Sequence, residues 1–287
     1  METVLTFGGL YPVGPEKISA FAVIPLHSLG WLLAQCGAHK LSEAVFPQVY
    51  ASLKPLQQSQ WNDRIISQLH CLVTATAAWR LLLSGAHPIG HPSGAPAPAG
   101  APWVSSWQSV VQFSLGYYLF DIARMLYNKH GPPNMDSMDP EFGQNVAHHT
   151  IMLMGHAPVL LNRQVIGISA FGYLAEMSTP VLNCRFLMQR AGLTGTPAFR
   201  NVTKLLAALF LVFRVLLFPA ALVLCAGSGM PWPGKGAHLL LWALNMAGNA
   251  VWFKALLKSV AKGDKLAREE KDGAGRKKGA AAPAKRD

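Results

Sequence analysis

Apolar residues along this chain come in long runs that few charges interrupt. Seven runs, at roughly 18–35, 65–84, 104–124, 146–162, 164–183, 204–226 and 237–260, each approach the ~20 residues an α-helix needs to cross a ~30 Å hydrocarbon core. They are apolar nearly all round, so helical periodicity within them says little. Pro25, Pro158 and Pro219 fall inside the first, fourth and sixth runs, where proline can kink a membrane helix. The pattern predicts an all-α protein, a polytopic transmembrane helical bundle of about seven spans. It divides the chain into an N-terminal segment with the first span (1–59), a membrane domain (60–260) and a basic, disordered cytosolic tail (261–287).

The charges between the runs assign an orientation. Lys40, Lys54, Arg64, Arg124, Lys129, Arg185, Arg190, Arg200 and Lys204 lie in or beside the odd-numbered loops, whereas the even loops hold only Arg163 and Lys235. Lysine and arginine accumulate on the cytosolic side of membrane proteins, which places the odd loops and the C-terminus in the cytosol. Residues 85–102, rich in Pro, Gly and Ala, read as a linker without fixed structure on the opposite side.

Composition agrees with a membrane protein and removes other classes. Only 14% of the 287 residues are charged, against about a quarter in soluble domains, and 51% are hydrophobic. The net charge of +11 invites a nucleic-acid partner, but nine Lys and Arg residues follow Val260, where a basic tail suits a membrane surface, and nucleic acid is set aside. Cys36, Cys71, Cys184 and Cys225 include no CxxC pair, so neither a disulfide framework nor a zinc site is expected. Met1-Glu-Thr-Val-Leu5 lacks a basic n-region, so no cleaved signal peptide is expected.

Polar groups inside the spans are the candidates for function, because an ionisable group in hydrocarbon is costly and by default faces the bundle interior. The fourth span opens with His148 and His149, whose rings point roughly 100° apart. With the assigned orientation, His70, Asp121 (with Tyr117 one turn earlier), the His pair and Glu176 (with Asn183 seven residues on) all fall in the cytosolic half. Arg214 lies ten residues past Lys204, about 15 Å at ~1.5 Å per residue and so near the midplane. The expectation is one polar cavity open toward the cytosol. His148, His149, Asp121 and Glu176 are its catalytic candidates, and His70, Tyr117, Asn183 and Arg214 its binding candidates. Plainer readings stand beside these. Asp121 can pair with Arg124 at i+3, Glu176 with Arg214, His70 can bond a neighbouring helix, and His156 reads as structural.

A His pair beside a carboxylate can act as general base and orienter, or as a nucleophile held by a hydrogen bond. Acyl transfer from a thioester to a lipid amine or hydroxyl fits, with the basic cytosolic loops suiting an anionic acyl-CoA. A di-iron centre needs many more imidazole and carboxylate ligands than the chain offers, so no metal is expected. A receptor or transporter is prompted by span count alone, which is weak ground.

Ser67-x-x-His70, Gly116-Tyr117-x-x-x-Asp121, His148-His149, Ala175-Glu176-x-Ser178-x-Pro180-x-x-Asn183-x-Arg185 and Phe213-Arg214 occur in this order on successive spans. Together they resemble the TLC domain shared by ceramide synthases and translocating-chain-associated membrane proteins. The resemblance covers roughly 60–260 and is nearest the group called TLC domain-containing proteins. It implies an endomembrane protein of lipid metabolism, in the endoplasmic reticulum or a related compartment. By the same resemblance His148-His149 correspond to the histidine pair of ceramide synthases, which transfer an acyl group from acyl-CoA to a sphingoid base. No cofactor is expected to stay bound, acyl-CoA being a co-substrate. Glu176-Met-Ser-Thr-Pro180 stands where ceramide synthases carry a His-Asp dipeptide. A non-enzymatic protein that binds membrane lipids or regulates their homeostasis is therefore the alternative.

Overall fold

The computed structural model describes residues 2–6, 9–13, 21–84, 102–130, 142–161, 166–228 and 234–280. Apart from a two-stranded N-terminal hairpin, β1 (Glu2–Thr6) with β2 (Gly9–Val13), the regular structure among these residues is helical. The helices are α1 (Ile24–Val45), α2 (Pro47–Ala51), α3 (Pro55–Leu83), α4 (Pro102–His130), α5 (Phe142–Leu161), α6 (Ile166–Leu174), α7 (Thr179–Arg190), α8 (Pro197–Phe210), α9 (Leu217–Gly227) and α10 (Gly234–Ala280). A 3₁₀ turn, Ala175–Ser178, joins α6 to α7, and a π-helical turn, Leu211–Leu216, joins α8 to α9. Prolines at the starts of α2, α3 and α8 lose no helical hydrogen bond there, and the Thr196 hydroxyl caps α8 by accepting from the Phe199 N–H.

The outcome is an all-α helical bundle. Among the described residues three rods, Pro55–Leu83, Pro197–Gly227 and Lys235–Leu266, are long and apolar enough to cross a membrane. Large apolar side chains point both ways. Trp31, Ile66, Val111, Leu115, Tyr118, Met152, Ile166 and Tyr173 fill a core shared by α1, α3, α4, α5 and α6. A smaller core joins the 3₁₀ turn to α9 and α10 through Ala175, Phe218, Ala221, Cys225 and Trp242. Leu26, Leu29 and Leu33 on α1, and Val212, Leu216 and Val223 along α8–α9, are exposed. Rows of bare aliphatic side chains outside a packed core suit hydrocarbon rather than water.

The first helix departs from the expected 18–35. Its rod runs from Ile24 to Val45, and residues 14–20 lie outside the described residues. Gln35 and Ser42 do not end it because they turn inward and are bonded, while Lys40 and Glu43 stay on its exposed face. Gln35 Nε2 donates to Asp63 Oδ1 at 2.9 Å, and the Ser42 hydroxyl donates to the Ala38 carbonyl at 2.6 Å. Pro25 sits in the first turn of α1, where no donor is missed, so it does not kink the rod. Helix α10 continues to Ala280, into the stretch expected to be a disordered tail, through Lys, Arg, Glu and Ala that favour helix. The linker at 85–101 lies outside the described residues.

Candidate functional site

Two helices build the first cluster. Asp121 on α4 and His149 on α5 face each other with Oδ2 and Nδ1 2.8 Å apart, both side chains largely buried. The contact is a close charge-to-ring approach rather than an in-line hydrogen bond. His149 lies among aromatic rings, its centroid 5.4 Å from Tyr118 and 6.0 Å from Tyr117. The His148 ring is 5.4 Å from that of His149 but turns toward α10, edge-on to Trp252 at 5.3 Å, with the Asn245 amide beside it. The two imidazoles therefore have separate surroundings, as their angular offset on the helix requires.

His70 lies behind this cluster, stacked on Tyr117 at 4.1 Å and sharing a 2.8 Å hydrogen bond between Nε2 and the Ser114 hydroxyl. Asn183 is fully buried and donates from Nδ2 to Ser67 Oγ at 3.2 Å and Gln68 Oε1 at 3.3 Å, tying α7 to α3. Asp63, on the turn of α3 before the second apolar run, also belongs here. It accepts from Gln35, stands 3.8 Å from Arg124 Nε and is within electrostatic range of Asp121. Asp63 lies outside the apolar runs of the sequence, and its place two turns into a long helix is the signal that marks it.

The second cluster gathers at the two irregular turns. Pro180 has no N–H for the Glu176 carbonyl, which accepts instead from Thr179 N–H in the tighter 3₁₀ geometry. Pro219 likewise withholds a donor from the preceding turn, which widens into the π segment that carries Arg214. These turns bring Glu176 and Arg214 together inside the bundle. Arg214 Nη2 stands 3.9 Å from Glu176 Oε2 and donates to Thr179 Oγ1 at 3.0 Å, while Nε donates to Ser178 Oγ at 2.9 Å. The Thr179 hydroxyl in turn donates to Glu176 Oε2 at 2.6 Å, and Arg214 is within electrostatic range of His148.

The expected single cavity is thus two packed polar clusters. Asp121 stands against His149, while Glu176 is held by Thr179 and Arg214. Arg124 turns to Asp63 and to the Ser59 hydroxyl at 2.8 Å. His156 shares a 2.8 Å hydrogen bond with the Met152 carbonyl and packs on Tyr173. A cavity of about 510 Å³ lies elsewhere, along α3 and the start of α7, lined by Cys71, Thr76, Trp79, Arg80, Met177 and Pro180. None of the eight candidates lines it.

The family profile described as the TLC domain matches residues 60–258. The chain belongs to the TLC-domain family. Both clusters lie within the matched region, as do Asp63 and Arg124. Membership together with the apolar rods makes this an integral membrane protein whose role concerns membrane lipids.

Proposed function

We propose that this TLC-domain protein transfers an acyl group from acyl-CoA to a lipid amine or hydroxyl in an endomembrane, with the His pair at the reacting centre. The observation that carries the reading is the 2.8 Å approach of Asp121 Oδ2 to His149 Nδ1. A carboxylate at Nδ1 orients the ring and leaves Nε2 as the base. In the proposed step Nε2 takes the proton of the attacking amine or hydroxyl. The new C–N or C–O bond forms at the thioester carbon, the C–S bond breaks, and the leaving thiolate takes the proton from the imidazolium. His148 is the second imidazole available for this proton transfer. Glu176 and Arg214 supply a fixed charge pair, with Arg214 in electrostatic range of His148, and His70, Tyr117 and Asn183 are the residues assigned to binding.

The test is acyl transfer by the purified protein in nanodiscs, given labelled acyl-CoA and a panel of long-chain bases and lysolipids. His148→Ala/His149→Ala is expected to lose at least ~100-fold in rate, and Asp121→Asn at least ~10-fold. Full turnover by the folded double variant would remove the assignment. One observation favours a non-enzymatic lipid-binding or homeostatic role instead: Glu176, where ceramide synthases carry His-Asp, is engaged by Thr179 and Arg214. That reading expects co-purified lipid and no product.

A further inference from the structure

At the end of the bundle where α3 begins and α7 ends, two arginines share one aromatic ring. The guanidinium carbon of Arg64 is 4.8 Å from the centre of the Phe186 ring, and that of Arg190 is 4.9 Å from it. The two positive charges therefore stand within about 10 Å of each other, one Debye length at ~0.1 M salt. Among the described residues Arg64 makes no ion pair or side-chain hydrogen bond. Arg190 makes one hydrogen bond, from Nη2 to Gln60 Oε1 at 2.8 Å, and its Nε is buried without a partner. Asp63, adjacent to Arg64 in sequence, is turned instead toward Gln35 and Arg124. Both arginines are half-buried.

Two like charges fixed on one ring repel, and each guanidinium carries five donors in a rigid fork. Elsewhere in the bundle the buried arginine is matched by a carboxylate, as Arg214 is by Glu176. Here one carboxylate, Asp63, lies within electrostatic range of Arg64 but is already engaged by Gln35 and Arg124, and among the described residues no carboxylate forms an ion pair with Arg190. An anion between the forks relieves the repulsion and uses the idle donors, and a phosphate fits two forks by its tetrahedral oxygens. Arg64 is within electrostatic range of Tyr117, whose ring lies 6.0 Å from that of His149, so a phosphate held there sits at the margin of the Asp121–His149 cluster.

We infer that Arg64 and Arg190, braced by Phe186, form a phosphate-binding clamp at the mouth of the site. The phosphate is that of a soluble coenzyme A donor or of an anionic phospholipid headgroup. Coenzyme A as the source rests on the acyl-transfer reading, whereas the clamp stands without it.

The experiment uses the full-length protein in phosphatidylcholine nanodiscs, with two probes. Coenzyme A is titrated by thermophoresis, and retention of phosphatidic acid mixed into the nanodisc lipid is read by native mass spectrometry. Wild type is expected to bind at least one probe in a salt-sensitive way, and Arg64→Gln or Arg190→Gln to weaken it by about tenfold or more. Loss confined to coenzyme A identifies the soluble source, and loss confined to phosphatidic acid the lipid source. The double Arg64→Lys/Arg190→Lys variant keeps the charge but not the forks, and is expected to bind several-fold more weakly should the glutamine variants fail to fold. Binding that depends on the pair, in a protein that turns over no acyl-CoA, supports the clamp and removes the enzyme reading. Equal binding by wild type and by folded variants, or binding of neither probe by wild type, overturns the clamp.

Discussion

Glu176 and Arg214 form a charge pair that is more than nine-tenths buried. Burying two ions is costly, and the Ser178 and Thr179 hydroxyls offset part of that cost by each accepting a guanidinium hydrogen. Removing one partner leaves the other charged and uncompensated. Arg214→Met and Glu176→Leu are each expected to lower stability by about 3–5 kcal/mol, and the double replacement by less than either. Thermal unfolding of the purified variants in one detergent reads this, and additive single effects would show that the two groups are not coupled. Asp121 and His149 call for a different expectation. Both are legible in the sequence as ionisable residues within apolar runs, but which acid meets which ring is not. Two carboxylates were compatible with the His pair, and packing sends Glu176 to Arg214 and Asp121 to His149.

Helices α1 and α4 cross where Gly116 leaves room. A side chain at this position would run into the Cβ and backbone of His27, and the Ser28 hydroxyl donates to the Gly116 carbonyl at 2.9 Å across the contact. Gly116→Ala is therefore expected to cost about 1–3 kcal/mol by overpacking, seen as a lower unfolding midpoint. An unchanged midpoint would mean that the helices separate without penalty. The expectation that proline kinks the sixth run has a particular form here. Pro219 is followed back to a π turn that sets the direction of Arg214, just as Pro180 tightens the turn that carries Glu176. The existence of helices was readable from the apolar runs. Their ends were not, because Gln35, Ser42 and Asp63 look like loop residues until their partners on another helix are known.

For the whole molecule, the unequal distribution of Lys and Arg expects the C-terminus to face the cytosol. An N-glycosylation acceptor appended after Asp287 is expected to remain unmodified in cells, and one inserted within 85–101 to be glycosylated. The reverse pattern would invert the assigned orientation. Modification of both acceptors, or of neither, would require an odd change in the number of crossings between them. The exposed aliphatic rows on α1 and α8–α9 suit contact with lipid hydrocarbon outside the packed core.

Composition and the lengths of apolar runs determined the class of this protein: helical, membrane-embedded, with ionisable groups turned inward. Hydrocarbon imposes that outcome on any such chain, since each backbone polar group must be bonded within its own helix. The order of its spaced motifs determined the TLC-domain family. Only the tertiary structure decided the pairings, the inclusion of Asp63, and the meeting of Arg64 and Arg190 on Phe186. Those depend on how helices far apart in sequence rotate against one another, which runs that are apolar on every side do not encode.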